Sequence, residues 1–181
     1  NKNLRVGPEP RAWSAMAINS NDSRLLRFGG GSAWVSDETW ELEHDLWTSK
    51  TPSSITDSNN PKARVGASLE YLPFLGAGQD ESAFILFGGS SKVDLSSTSD
   101  AILYPGTWRY DDGVWSQLSP TTSPAMRSFH AATYDTHDSR KRWLIFGGLS
   151  KQSASEDASL NDLWEFNGLD WAQVTFDPGV T

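Results

Sequence analysis

Cysteine is absent from all 181 residues, which excludes disulfides, thiolate nucleophiles and sulfur-ligated metal from this chain and leaves its compartment open. Methionine occurs twice and histidine three times, with no His-x-x-x-His or Glu-His spacing that would mark zinc. Apolar residues are 37% of the chain, yet no run approaches the roughly 18 needed to cross a membrane as a helix. Positive charge is in deficit: 15 Lys and Arg stand against 23 Asp and Glu, for a net charge of -8. That balance argues against nucleic acid or an anionic membrane surface as partner. No helical apolar period of useful length is present either. The nucleophile elbow Gly-x-Ser-x-Gly, the phosphate-binding loop and the dinucleotide fingerprint are all missing. The glycine-rich FGGGS at 28–32 follows an apolar run but opens no helix, so it is no phosphate cradle. The loops SKVDLSSTSDAIL (91–103) and KQSASEDASL (151–160) are acidic but lack the Asp-x-Asp-x-Asp-Gly ladder of a calcium loop, and are expected to be solvated. No metal or cofactor is therefore expected.

What is present is aromatic and repetitive. Nine tryptophans contribute to an aromatic content of 12%. Phe-Gly-Gly begins at Phe28, Phe87 and Phe146, a step of 59 residues each time. Each triplet is followed by two tryptophans seven residues apart: Trp40 and Trp47, Trp108 and Trp115, Trp164 and Trp171. A proline followed by an arginine precedes each apolar run, at Pro10-Arg11, Pro61 to Arg64 and Pro124 to Arg127. The loops between these marks are unequal. Phe to Trp takes 12, 21 and 18 residues, and Trp to the next Arg takes 17 and then 12, so only the step of seven is rigid.

A unit of this kind reads as four short antiparallel strands. In the third copy these are RSFHAATY (127–134), RWLIF (142–146), LWEF (163–166) and WAQV (171–174), the last two joined by the hairpin signal Asn-Gly-Leu-Asp. Glycine at the end of the second strand permits positive φ and close backbone approach. Four-stranded sheets repeated at this period are the signature of β-propeller blades. The pattern of an apolar strand ending in Gly-Gly, then an aromatic, then a Trp about six residues on resembles the kelch repeat, from about Pro8 to Val174. QLSPTTSPAMRSFHAATYD with LIFGG and LNDLWEFNGLDW is similar to kelch blades of secreted bacterial proteins. The expected fold is thus all-β: a kelch-type propeller of three four-stranded blades. Residues 1–10 form a lead-in, 11–50 the first blade, 51–118 the second, and 119–181 the third with an exit segment. Three blades fall short of a closed ring, which takes four to eight. Further blades of the same chain or a second copy are expected to complete it, and the start NKNLRVG reads as a processed or excised piece. Open ends would expose Trp13 on one side and the Trp164 and Trp171 face on the other.

The six repeated tryptophans recur at one structural position per blade, which a packing role requires. Trp34, in the loop GSAWVSD (31–37), has no counterpart in the other units and is a binding candidate. Arg11, Arg64 and Arg127 open the innermost strand of each unit, and could ring a channel mouth and bind carboxylate or phosphate. The competing expectation is a structural ion pair. Glu38 and Asp162, two residues before a blade Trp, are natural partners for Arg11 and Arg127, whereas Gly106 stands there in the second unit and leaves Arg64 most available. His130, three residues after Arg127, is expected to make a structural hydrogen bond. The loops that vary emerge on one face of a propeller, and length freedom over a constant scaffold is how binding surfaces are built. The sequence therefore points to a non-catalytic binding module, for protein or glycan, in a secreted or cell-surface protein. Some kelch propellers are oxidases or act on sialic acid, so the resemblance leaves part of an enzyme, with catalytic residues outside this chain, as the alternative. The loop from Ser90 to Pro105 is expected to tolerate shortening.

Overall fold

The structure is a computed structural model, and it describes residues 7–19, 21–52, 59–73, 82–92, 101–137, 141–151 and 157–175. Among them there are fourteen strands and no helix, so none is long and apolar enough to cross a membrane. The first sheet is β1 (Ala15–Ile18), β2 (Leu25–Phe28), β3 (Thr39–Glu43) and β4 (Leu46–Ser49), in that order and antiparallel throughout. The second repeats it with β5 (Ser68–Leu72), β6 (Ala83–Phe87), β7 (Thr107–Asp111) and β8 (Val114–Gln117). The third is β9 (Ala131–Asp135), β10 (Arg142–Phe146), β13 (Leu163–Phe166) and β14 (Trp171–Val174). A two-stranded hairpin, β11 (Leu149–Lys151) and β12 (Asp157–Ser159), is inserted in that third sheet's middle connection. Three such sheets side by side are blades of a β-propeller-like fold, and the arc they form is not closed.

The blades meet along two cores. Leu26 and Phe28 of the first blade pack with Tyr71, Phe84, Leu86 and Trp115 of the second; Ile85 and Phe87 of the second pack with Trp143, Ile145, Phe166 and Trp171 of the third. β6 lies between both and is buried at every position, which is why AFILF carries no polar alternation. At each seam the last-strand tryptophan of one blade crosses to the blade before it. Trp115 lies 5.2 Å from the Phe28 ring and donates its indole N–H to Thr39 Oγ1 at 2.9 Å; Trp171 lies 4.9 Å from the Phe87 ring and donates to Thr107 Oγ1 at 2.8 Å. Tyr110 adds a bond to Glu41 Oε1 at 2.9 Å, and burial, with that carboxylate, raises the phenol above its usual range.

The Gly-Gly pair makes the seam tight. Gly30 and Gly89 donate to the carbonyls of Arg64 and Arg127, both at 2.9 Å, from positive φ of 97° and 103°. A Cβ on the preceding Gly29 or Gly88 would sit 2.5 Å from those same carbonyl oxygens, closer than any side chain tolerates. Gly147 and Gly148 keep the same left-handed backbone, although among the described residues no further blade presses on them.

Several expectations need correction. Innermost strands begin at Ala15, Ser68 and Ala131, four residues after the arginines, because Trp13, Gly66 and Phe129 take φ of 56°, 65° and 56° and break the extended run. Trp108, Trp115 and Trp171 are buried, but Trp40, Trp47 and Trp164 are only partly so. Trp171 faces inward, onto the second blade; the open side of the third carries Phe146, 50% exposed where Phe28 and Phe87 are 1%. Trp13 is 50% exposed at the other end, as expected. The 151–160 loop is partly the β11–β12 hairpin rather than solvated coil. The ends of the Ser90–Pro105 loop belong to the scaffold: Ser90 bridges Val65 and Leu103, and Ala101 and Leu103 are buried. Only residues 93–100, which lie outside the described residues, remain as the part to shorten.

His130 does make a hydrogen bond, across the second seam. Its Nε2 is 2.6 Å from Ser68 Oγ, and its ring stands edge-on to Phe87 at 5.7 Å. Burial, with the nearby Arg127 charge, pushes its pKa down to about 4.

Two measurements test these seams. Trp171→Ala removes a fully buried ring and strands Thr107, and is expected to cost about 3–5 kcal/mol in urea unfolding; a loss near that of an exposed residue would show that the seam does not depend on it. For His130, the unfolded chain takes up a proton between about pH 6.5 and the folded value while the native state does not. Its contribution is therefore complete above about pH 6.5 and is lost as pH falls toward about 4. Glu70, whose carboxyl is pushed up by burial, acts in the opposite sense, so the comparison is with His130→Gln. Between neutral pH and pH near 4, wild type should lose about 1–3 kcal/mol more than the variant. Equal losses would place the ring outside the seam.

Candidate functional site

The three arginines are equivalent in sequence and differ in what they hold. In the first blade Arg11 Nη2 bonds Glu38 Oε1 at 3.0 Å, and the indole N–H of Trp40 donates to the other oxygen of that carboxylate at 3.2 Å. Arg27 reaches the same carboxylate at 4.0 Å, so two cations share it; Arg27 itself is pulled below the usual guanidinium value by burial and by Arg11. In the third blade the clamp is tighter. Arg127 grips Asp162 with both terminal nitrogens at 2.7 and 2.8 Å, and Trp164 donates to Asp162 Oδ2 at 2.7 Å. These bonds, with Arg127's first, hold the Asp162 carboxyl below the ordinary range. Arg11 and Arg127 are thus paired inside their own blades, not presented as a guanidinium ring.

The middle blade has the same arginine and the same tryptophan without the acid. Arg64 is buried, donates from Nε to the Lys62 carbonyl at 2.9 Å and from Nη1 to the Gly88 carbonyl at 2.8 Å, and lies with its guanidinium carbon 4.7 Å from the centre of the Tyr104 ring. No carboxylate of the described residues reaches it. Burial without an acidic partner pushes it down to about 10, against the opposing influence of Tyr104. Where Glu38 and Asp162 stand, this blade has Gly106 at φ 98°, and the indole N–H of Trp108 is buried with no acceptor among the described residues. Sequence reasoning found Arg64 through the glycine but missed Trp108, which it assigned to packing alone. The signal was the Trp two residues after the acid in both other blades.

Trp34 stands on the same face, where connections between second and third strands emerge. The Gly31–Val35 bridge and the bond from Ser32 N to the Trp34 carbonyl at 3.1 Å close its loop into a short rigid bend. The indole at the tip is 68% exposed, the most exposed of the large apolar side chains. A separate cleft of about 610 Å³ on the outer edge, between the first and second blades, is lined by Lys50, Asn60, Trp115 and Gln117 among others, and Trp115 is committed there to the seam. Among the described residues no three acidic or imidazole groups gather to hold a metal ion.

No protein-family model and no curated protein sequence matches the chain. Its fold is shared with known structures. The solved structure of YjhT superposes over 94% of this chain with a TM-score of 0.59 at 15% identity, a likeness of fold alone. The match covers 48% of that protein, so this chain spans about half its length.

Proposed function

We propose that the chain is a kelch-type β-propeller module with a non-catalytic binding role, in a secreted or cell-surface protein, engaging a protein or glycan through one face of the propeller. The observation that carries this reading is Trp34: a large aromatic, 68% exposed, held at the tip of a short bridged loop rather than folded onto the blade. A soluble surface keeps such a ring in water at a cost unless a partner covers it. The loops that change length between blades emerge on the same face. The half-exposed Phe146 and Trp13 at the two ends are in turn where further blades, from this chain or another copy, would complete the ring.

Arrays of immobilised glycans and extracellular protein domains, probed with wild type and Trp34→Ala, test the reading. Discrete array members should bind wild type and lose about thirtyfold or more in affinity with the variant, while the melting temperature stays unchanged. Undiminished binding by the variant would remove Trp34 from the site. A fall in melting temperature would make it a loop anchor instead.

A further inference from the structure

The first and third blades build the same three-part clamp, and the middle blade builds two parts of it. We propose that the space beside Gly106 is a binding site for one carboxylate group of an external ligand, held by the Arg64 guanidinium and the Trp108 indole N–H. This goes beyond the reading of a binding face and does not depend on Trp34, so either can fail without the other.

The donors are placed as in the filled clamps. Arg64 and Arg127 make matching backbone bonds: Nε to the carbonyl two residues back at 2.9 and 3.1 Å, and Nη1 to the first glycine carbonyl of the Gly-Gly pair at 2.8 and 3.0 Å. Both guanidinium groups are therefore aimed alike within their blades. Trp108 pairs with Leu86 in the sheet as Trp164 pairs with Ile145, so the two tryptophans hold the same register position in their blades. In the third blade the carboxylate between them bridges the two at 2.7–2.8 Å.

The nearest atoms at that point belong to Gln117 and Trp108. A Cβ placed on Gly106 would lie 3.5 Å from Trp108 Nε1, and the nearer neighbour is Gln117 Nε2 at 2.6 Å, the end of a flexible, exposed side chain that can swing away. Gly106 is itself partly exposed, which gives a ligand its entry, while Tyr104 covers one face of the guanidinium and leaves its edge for in-plane bonds. Trp108 is only 6% exposed, and its N–H has no partner among the described residues. A planar group with two oxygens satisfies both donors at once, as Asp162 does. A free small acid and an acidic side chain of a partner share that chemistry.

The chain, labelled with nitrogen-15, is titrated with sodium acetate against sodium chloride at equal ionic strength. The indole resonance absent from Trp108→Phe identifies the reporter. It should shift downfield and saturate at millimolar acetate and stay still in chloride. Acetate should also raise the melting temperature of wild type, and this rise should shrink about tenfold in apparent affinity or vanish in Trp108→Phe, which keeps the ring and loses the donor. No saturable shift at Trp108, or an equal shift with chloride, overturns the proposal; the second outcome is an adventitious ion only. A glycine peptide carrying one glutamate distinguishes the sources on the same resonance. Binding tighter than acetate assigns the group to a protein partner, and weaker binding to a free acid, and either result supports the site.

Discussion

Everything in this arc hangs on one backbone contact: the carbonyl of the arginine before a blade lodged against the Gly-Gly pair of the blade before it. Gly30 and Gly89 donate their N–H to that carbonyl at 2.9 Å, and at the neighbouring Gly29 and Gly88 there is no room for a Cβ. The contact sets how closely two sheets stand, and so whether Trp115 and Trp171 can reach Thr39 and Thr107 across the seam. The same arginine then turns its side chain back to its own blade, onto the Gly88 or Gly147 carbonyl. One residue ties two sheets with its main chain and braces the second with its charge. Such a residue has to be buried, and a buried guanidinium calls for a counter-charge, which explains the acids beside Arg11 and Arg127.

The parts of this design that depend on local chemistry were legible in the sequence. The step of seven between tryptophans is the β3–β4 type of hairpin, whose register is set by a two-residue turn, so it survives when every other loop changes length. The Phe-Gly-Gly triplets announced close approach because few other settings need two successive glycines at positive φ. The pairing of Arg11 with Glu38 and Arg127 with Asp162 followed from counting back two residues from a tryptophan.

What could not be read depends on the neighbour. A strand alternates faces, but only the adjoining blade decides which face is core, so Trp171 was expected on the open side where Phe146 stands. Phe129 takes the left-handed backbone that glycine has at Gly66, an arrangement no propensity predicts. Its ring packs against that glycine at the second seam, where a Cβ on Gly66 would fall 2.8 Å from it. The unsatisfied Trp108 stayed hidden for a related reason. An indole reads as an apolar ring until the acceptors around it are seen.

The seams also have a polarity. At each one the tryptophan N–H comes from the later blade and the threonine hydroxyl from the earlier, so a blade has a donor flank and an acceptor flank that are not interchangeable. Sheets can stack only head to tail, as subunits do in a filament with distinct ends. The acceptor flank of the third blade departs from the rule, for Leu163 occupies the register position of Thr39 and Thr107. A tryptophan placed there as Trp115 and Trp171 are at the two seams would meet the Leu163 side chain in place of a hydroxyl.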